Sequence, residues 1–409
     1  MRDETPNHRT PRFILYVFIT FGVLATTSSL VARGRAPSGI DFTQDYVSAR
    51  SFADGDSAYR PIDELLTRYD RPTHSTHLLL KSNPHPPVAV LLTLPFAGLE
   101  FEPALMALWW TQLLALAVAW VACFAIFRPA VPGWFWALGG GAFGLWAPFW
   151  QGMGWGHPVG VLALCTAAVW AFGRAGRPFA FGFALATAIL IRPFFAMHVV
   201  NACGWTMRQQ MKCAAGLVVG GLIPFAGIGI TPWEWYRLAS HAGGFVSWNG
   251  SIPAVLELGP RGAQLLYAAA AAVLALLRWR GLCADATIAV VGVVALLFYP
   301  LAWPIYDASL IPVVAWVLAR ADTSTTRAAV MGVAVYLILR TLPDIKAGEN
   351  GAGLAEMLAR NKTWFQLFAR GVLLSGVVAT YRRTRPCRRA SASESADAGR
   401  PQVSASVPF

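Results

Sequence analysis

Apolar runs, mostly of about 15 to 20 residues, recur from one end of this chain to the other, a length matched to the hydrocarbon core of a bilayer. They fall at 12–31, 103–127, 133–150, 155–172, 179–191, 194–207, 213–230, 263–277, 284–301, 304–318, 328–342 and 364–380. A soluble protein has nowhere to hide so much apolar surface, whereas a bilayer accepts it as an outer face. Of the 409 residues, 56% are hydrophobic and only 13% charged, against about 25% charged in soluble domains. The expected fold class is an all-α polytopic membrane protein.

The formal net charge of +12 does not point to nucleic acid, because the basic residues form no long groove. They sit in short clusters between the apolar runs, as the positive-inside rule describes. Arg2, Arg9 and Arg12, then Arg174 with Arg177, Arg208 with Lys212, Arg278 with Arg280, and Arg320 with Arg327 are expected in the cytoplasm. So is the group Arg382, Arg383, Arg385, Arg388 and Arg389. Both termini are then cytoplasmic and the number of spans is even, about twelve. Residues 13–30 read as a retained first span, not a cleaved signal. The segment 86–99 is either a full span or a re-entrant piece. Pro193 breaks 179–207 into two short helices or kinks a single one.

Three polar stretches remain outside, at 33–85, 231–261 and 343–362. The first carries Phe42, Tyr46, Phe52, Tyr59, Leu65, Leu66 and Tyr69 at roughly helical spacing, which predicts interfacial helices lying on the membrane. Residues 390–409, rich in Ser and Ala, read as disordered. The six cysteines have no CxxC spacing, so neither a metal site nor a disulfide framework is expected. No cofactor is expected.

Several polar residues interrupt this apolar background. Asp41 and Asp45 are four apart and share one face of a helix. Asp41 is either a general base at the membrane surface or a helix N-cap. His85, between Pro84 and Pro86, is either a phosphate contact or a plain surface residue. Gln151 to Pro158 reads as a glycine-rich turn, which explains its glycines but not His157. Arg192, next to Pro193 at the end of an apolar run, is a costly charge that suits phosphate or else snorkels to the interface. In the second outer loop Trp248, Asn249 and Ser251 combine aromatic and polar groups as a sugar site does, or form part of an interfacial belt. Asn249 and Asn361 each begin a glycosylation sequon. Tyr299 to Asp307, with Pro300, Trp303, Pro304 and Tyr306, reads as a broken helix lining a cavity.

Taken in order, five blocks resemble glycosyltransferase family 87, a group of GT-C-fold membrane enzymes. These are Asp41-Phe42-Thr43-Gln44-Asp45-Tyr46, His85-Pro86-Pro87, Arg192-Pro193, Asn249-Gly250-Ser251, and Tyr299-Pro300-Leu301-Ala302-Trp303. The family shows Asp-aromatic-x-x-Tyr-Tyr, Tyr-Pro-Pro, Lys-Pro, Asn-Gln-Ser and Ser-Pro-x-Ser-Trp at those places. The chain departs from the pattern at His157, where a Gly-Gln-x-Asn turn is expected, at Gly250, and at Ile305 and Tyr306, where the family has histidines.

The resemblance implies a GT-C-type bundle of about twelve spans with interfacial helices in its first outer loop. Residues 1–11 form a cytoplasmic N-terminus, 12–380 the transmembrane catalytic domain and 381–409 a basic, then disordered, cytoplasmic tail. It implies a metal-independent, inverting transfer of a sugar, with mannose a candidate. The donor is a polyprenyl-phosphate sugar, and the acceptor is a hydroxyl of a glycolipid or glycan at the outer face of the plasma (inner) membrane. Asp41 becomes the base. Arg192, His85 and His157 hold the donor phosphate. Asp45, Tyr46, Trp248, Asn249, Ser251, Trp303 and Tyr306 contact sugar or acceptor. The expected partners are donor, acceptor and lipid bilayer, with no nucleic acid. A flippase for lipid-linked sugars would share this cavity without needing Asp41, and a glycan polymer ligase would need a wider acceptor groove.

Overall fold

The computed structural model describes residues 39–71, 82–129, 133–144, 146–239, 251–300, 302, 304–320 and 362–383. Among these the chain is helical, with no β-strand. The expected spans at 12–31 and 328–342, the loop 343–361 and the residues beyond 383 lie outside the described residues, as do both sequon asparagines.

In chain order the helices are α1 (Ile40–Ala53), α2 (Ile62–Arg68), α3 (Pro87–Thr93), α4 (Phe101–Phe127), α5 (Gly133–Gly144), α6 (Ala147–Trp155), α7 (Val159–Arg174) and α8 (Pro178–Ile191). There follow α9 (Met207–Ile228), α10 (Pro232–Ala239), α11 (Ile252–Val255), α12 (Pro260–Trp279), α13 (Ala284–Phe298), α14 (Ile311–Ala319) and α15 (Lys362–Arg383). Tighter 3-10 helix forms at Leu94–Phe96, Pro193–Gly204 and Pro304–Leu310. Three helices, α4, α9 and α12, are long and apolar enough to cross a membrane, and α7, α8 and α13 are shorter apolar helices. Val218, Leu222 and Ile223 of α9 and Leu265, Val273 and Leu276 of α12 stay exposed, a bare apolar face of the kind that lipid covers.

The break at Pro193 separates two elements. Gly216 and Gly220 of α9 lie against Phe179 and Phe183 of α8, so these helices run parallel. A Cβ on Gly216 would stand 2.1 Å from the Phe179 carbonyl oxygen; only glycine lets the backbones come so close. Parallel neighbours require the chain to return between them, and Pro193–Gly204 is that return. Arg192 opens it with extended backbone (φ −150°, ψ 117°), as a residue before proline prefers. The segment 86–99 folds as the seven-residue α3 followed by a 3-10 turn, too short for a full span.

One expectation fails. α1 does not lie on a surface as an amphipathic helix, since every residue from Phe42 to Ala49 is buried. Phe42, Tyr46 and Phe101 pack with ring centroids 5.4–5.7 Å apart. Two of its polar residues find internal partners: Thr43 Oγ1 donates to the Gly39 carbonyl (2.9 Å) and Asn83 Nδ2 donates to Ser48 Oγ (3.1 Å). A helix whose polar face finds internal partners need not keep that face in water.

At the far end of α7, Trp170 Nε1 donates to Asp285 Oδ1 (2.9 Å), and Arg320 Nη2 donates to Asp285 Oδ2 (3.0 Å). Deeper in the bundle Arg370 of α15 binds Asp307 through Nε (2.9 Å) and Nη2 (2.7 Å). Both side chains are fully buried, and each meets the desolvation penalty of the other.

Candidate functional site

The site is built around one turn. α6 ends at Gly156 in the left-handed conformation (φ 85°, ψ 20°), which glycine adopts at no steric cost. Gln151 to Trp155 belong to the helix, so the turn is shorter than the sequence suggested. The Gly39 N–H donates to the Gly154 carbonyl (3.0 Å) and Trp109 Nε1 to the Met153 carbonyl (2.8 Å). Gln112 Oε1 accepts from the N–H groups of Gly160 (2.9 Å) and Val161 (3.2 Å). A side chain of α4 thus caps α7, satisfying donors that a helix start leaves open. Gln112 lies roughly 16 Å along α4 from its first residue, so the turn sits well inside the bundle.

Asp41 stands in the first turn of α1. It is not the N-cap; Gly39 holds that position (φ 52°), and no side chain caps the helix. Asp41 is half-buried, and its Oδ2 contacts Nε2 of the buried His157. Arg192 Nη2 contacts the other ring nitrogen, Nδ1. Guanidinium only donates, so Nδ1 is the acceptor and Nε2 carries the hydrogen that Asp41 receives. His157 is therefore neutral, with its tautomer fixed from both sides. Burial alone would raise the Asp41 carboxyl; the hydrogen bond that His157 donates and the charge of Arg192 outweigh it and hold the group at about 2.

Arg192 is 7% exposed. Nη1 donates to the Ile191 carbonyl (2.8 Å), and the guanidinium lies over the Tyr306 ring, 5.2 Å from its centroid. Among the described residues no carboxylate forms an ion pair with it, and Nε is buried without a hydrogen-bond partner.

One turn along α1, Asp45 receives Nδ1 of His85, which lies 3.0 Å from each carboxylate oxygen. Asn83 Nδ2 donates to Asp45 Oδ1 (2.9 Å), and Asn83 Oδ1 accepts the His85 N–H (2.9 Å). The His85 carbonyl accepts from the Tyr59 hydroxyl (2.9 Å) and from Trp235 Nε1 of α10 (3.1 Å). Two carboxylate–imidazole pairs therefore stand side by side on α1.

The structure brings Asp41, Asp45, His85, His157, Arg192 and Tyr306 together. It turns Tyr46 away: that ring is 1% exposed, and its hydroxyl donates to the Leu99 carbonyl and accepts from Arg50 (2.7 Å each). Tyr46 is a packing residue and not a ligand contact. Ser251 is buried at the start of α11, beside α12, α13 and α15. Trp248, Asn249 and Trp303 lie outside the described residues. Asp307, though a charge in an apolar run, serves Arg370 and not the site.

Sequence reasoning missed Gln44, Asn83, Gln112 and Arg370. Arg370 had a signal, a lone charge within the run 364–380; the other three are polar residues whose partners are distant in sequence. Among the described residues no three His, Cys, Asp or Glu side chains group as metal ligands. A cavity of about 530 Å³ is lined by Ser57, Tyr59, Ile228, Glu234, Arg237 and Leu238 among others. It shares Tyr59 with that anchor but contains no member of the Asp41–His157–Arg192 chain.

No family model matches the chain, and neither a curated protein nor a solved structure matches it.

Proposed function

We propose that this protein is a membrane glycosyltransferase of the GT-C type, with about twelve spans and its site at the outer face. It moves a sugar, mannose being one candidate, from a polyprenyl-phosphate sugar to a hydroxyl of a glycolipid or glycan. The observation that carries this reading is the buried Arg192, a cation with no carboxylate in ion-pair contact and one N–H unspent, set one histidine away from the half-buried carboxylate of Asp41. A buried charge without a partner is expensive, and an arriving phosphate would supply one. Guanidinium matches phosphate geometry better than ammonium does.

The chemistry divides between the two ends of this chain. Transfer breaks the bond from the anomeric carbon to the phosphate oxygen and forms one to the acceptor oxygen on the opposite side, inverting the centre. Arg192 stabilises the negative charge that gathers on the departing phosphate. Asp41 engages the acceptor hydroxyl as base. The orientation is supported by the far end of α7, where Arg174 and Arg320 both approach Asp285, the side that the positive-inside rule assigns to the cytoplasm.

The test is incubation of purified protein with a panel of polyprenyl-phosphate sugars, with mass spectrometry for free polyprenyl phosphate. Release from at least one donor, lost in Asp41→Asn, is the expected result. Movement of a donor between leaflets without release would favour a flippase.

A further inference from the structure

His85 is fixed more firmly than a residue exposed at a loop needs to be. Its carbonyl has two donors, its N–H has an acceptor, and its ring has Asp45. With Nδ1 at 3.0 Å from both Asp45 oxygens, the hydrogen of the neutral ring sits on Nδ1, and Nε2 keeps its lone pair. That is the reverse of His157, whose Nε2 carries the hydrogen. Nε2 of Gln44 lies against the ring, 3.3 Å from Nε2 and 3.4 Å from Nδ1, while Oε1 of Gln44 is buried without a partner. Nε2 of His85 thus keeps a lone pair that can take a second proton.

The neighbouring pair cannot do this. His157 is bound on both nitrogens, so another proton would break its contact with Arg192. Asp41, held at about 2, binds a proton too weakly to keep it at neutral pH.

Resting on the transfer reading above, we propose that His85 is a second acid–base residue of the same reaction and the final holder of the acceptor's proton. As the acceptor oxygen bonds to the anomeric carbon and the carbon–phosphate oxygen bond breaks, the hydroxyl proton passes by way of Asp41 to Nε2 of His85. The phosphate leaves with the bonding electron pair, and His85 later returns the proton to water. Asp45 orients the ring and stabilises its charged form, as the third member of a triad does. The titratable and charged groups around the ring are Asp41 and Asp45 on α1, Tyr59, and His157 with Arg192 behind it. Trp235, which reaches it from α10, is not titratable.

The experiment has two arms. In the first, ¹⁵N NMR of histidine-labelled wild-type protein in nanodiscs, assigned with His85→Gln, reads tautomers and titration. The expected result is an Nδ1–H ring for His85 that gains a second proton at Nε2 on acidification, and an Nε2–H ring for His157 that stays neutral over the same range. Asp45→Asn should lower the His85 midpoint. In the second arm, kcat/KM for transfer from a polyprenyl-phosphate sugar is followed against pH. Wild type should show an acidic limb at the His85 midpoint. His85→Gln should lose that limb along with roughly 10²-fold in rate, and imidazole should restore part of the rate to His85→Ala. A profile flat down to about pH 5, as Asp41 alone would give, overturns the proposal. So does an Nε2–H ring for His85, or a limb that survives His85→Gln in an active enzyme. A wild-type protein inert toward every donor overturns the transfer reading, and this one with it.

Discussion

A Cβ placed on Gly156 would stand 2.3 Å from Cβ of Phe42, because the turn carrying His157 is pressed against the helix carrying Asp41. The left-handed backbone at Gly156 and this contact make two separate demands for glycine at one position. Gly156→Ala should destabilise the protein by about 2–4 kcal/mol, combining left-handed strain with overpacking, and should part His157 from Asp41. Gly154→Ala is the control, since a Cβ there meets nothing within 4 Å and alanine favours helix. Thermal unfolding in detergent, read beside donor turnover, checks both. Equal stability in the two variants would refute the packing argument.

Asp41→Asn should keep the fold and lower transfer by ~10²–10⁴-fold. Its stability should also depend on pH in a defined sense. The folded carboxyl lies near 2, below the unfolded value of about 4. The charge on Asp41 therefore adds stability above about pH 4 that is lost as pH falls through about 2. The difference in melting temperature between wild type and Asp41→Asn should shrink as pH is lowered from about 6 to about 3.

Arg192→Ala removes the buried guanidinium together with its hold on His157. Donor affinity should fall by about 10- to 150-fold, the worth of one charged hydrogen bond. Arg192→Lys should recover part of it, since ammonium keeps the charge but not the fork. Isothermal titration with a polyprenyl-phosphate sugar reads the difference, and unchanged affinity in Arg192→Ala would leave the residue a structural role only.

The Asp307–Arg370 pair should behave as an all-or-none unit. Arg370→Met alone strands a buried carboxylate and should cost about 3–5 kcal/mol, while Asp307→Leu with Arg370→Met should recover most of it. Melting temperatures of the two single variants and the double variant form the cycle. Asp307 adjoins Tyr306, so the singles should also weaken donor binding if Tyr306 shifts from Arg192.

Orientation is open to direct labelling. A cysteine at Asp56, near the α1–α2 connection, should react with an impermeant maleimide from outside the cell, and one at Arg177 only after the membrane is opened. The opposite pattern would place the site in the cytoplasm.

The helical class and its apolar stretches were legible in the sequence because burial in lipid demands long apolar runs, which leave a one-dimensional trace. Proline and glycine left traces as well. Pro193 marked the break after α8, and Gly156 marked the turn before His157. Asp41, His85, His157 and Arg192 stood out because each was a polar residue beside an apolar run, where a charge is costly enough to need a reason. Pairing left no such trace. The side chains that meet there come from positions 41, 157 and 192, and from 45, 83 and 85, with Trp235 arriving from α10. No spacing rule links such distant positions. Tyr46 and Asp45 share a motif in the sequence, yet a single helix sends one into the aromatic core and the other to His85. The sequence by itself determined which residues the membrane makes expensive. Only the tertiary structure decided which of them compensate one another, because hydrogen-bond geometry, and with it the opposite tautomers of His85 and His157, is set by the packing of helices far apart in the chain.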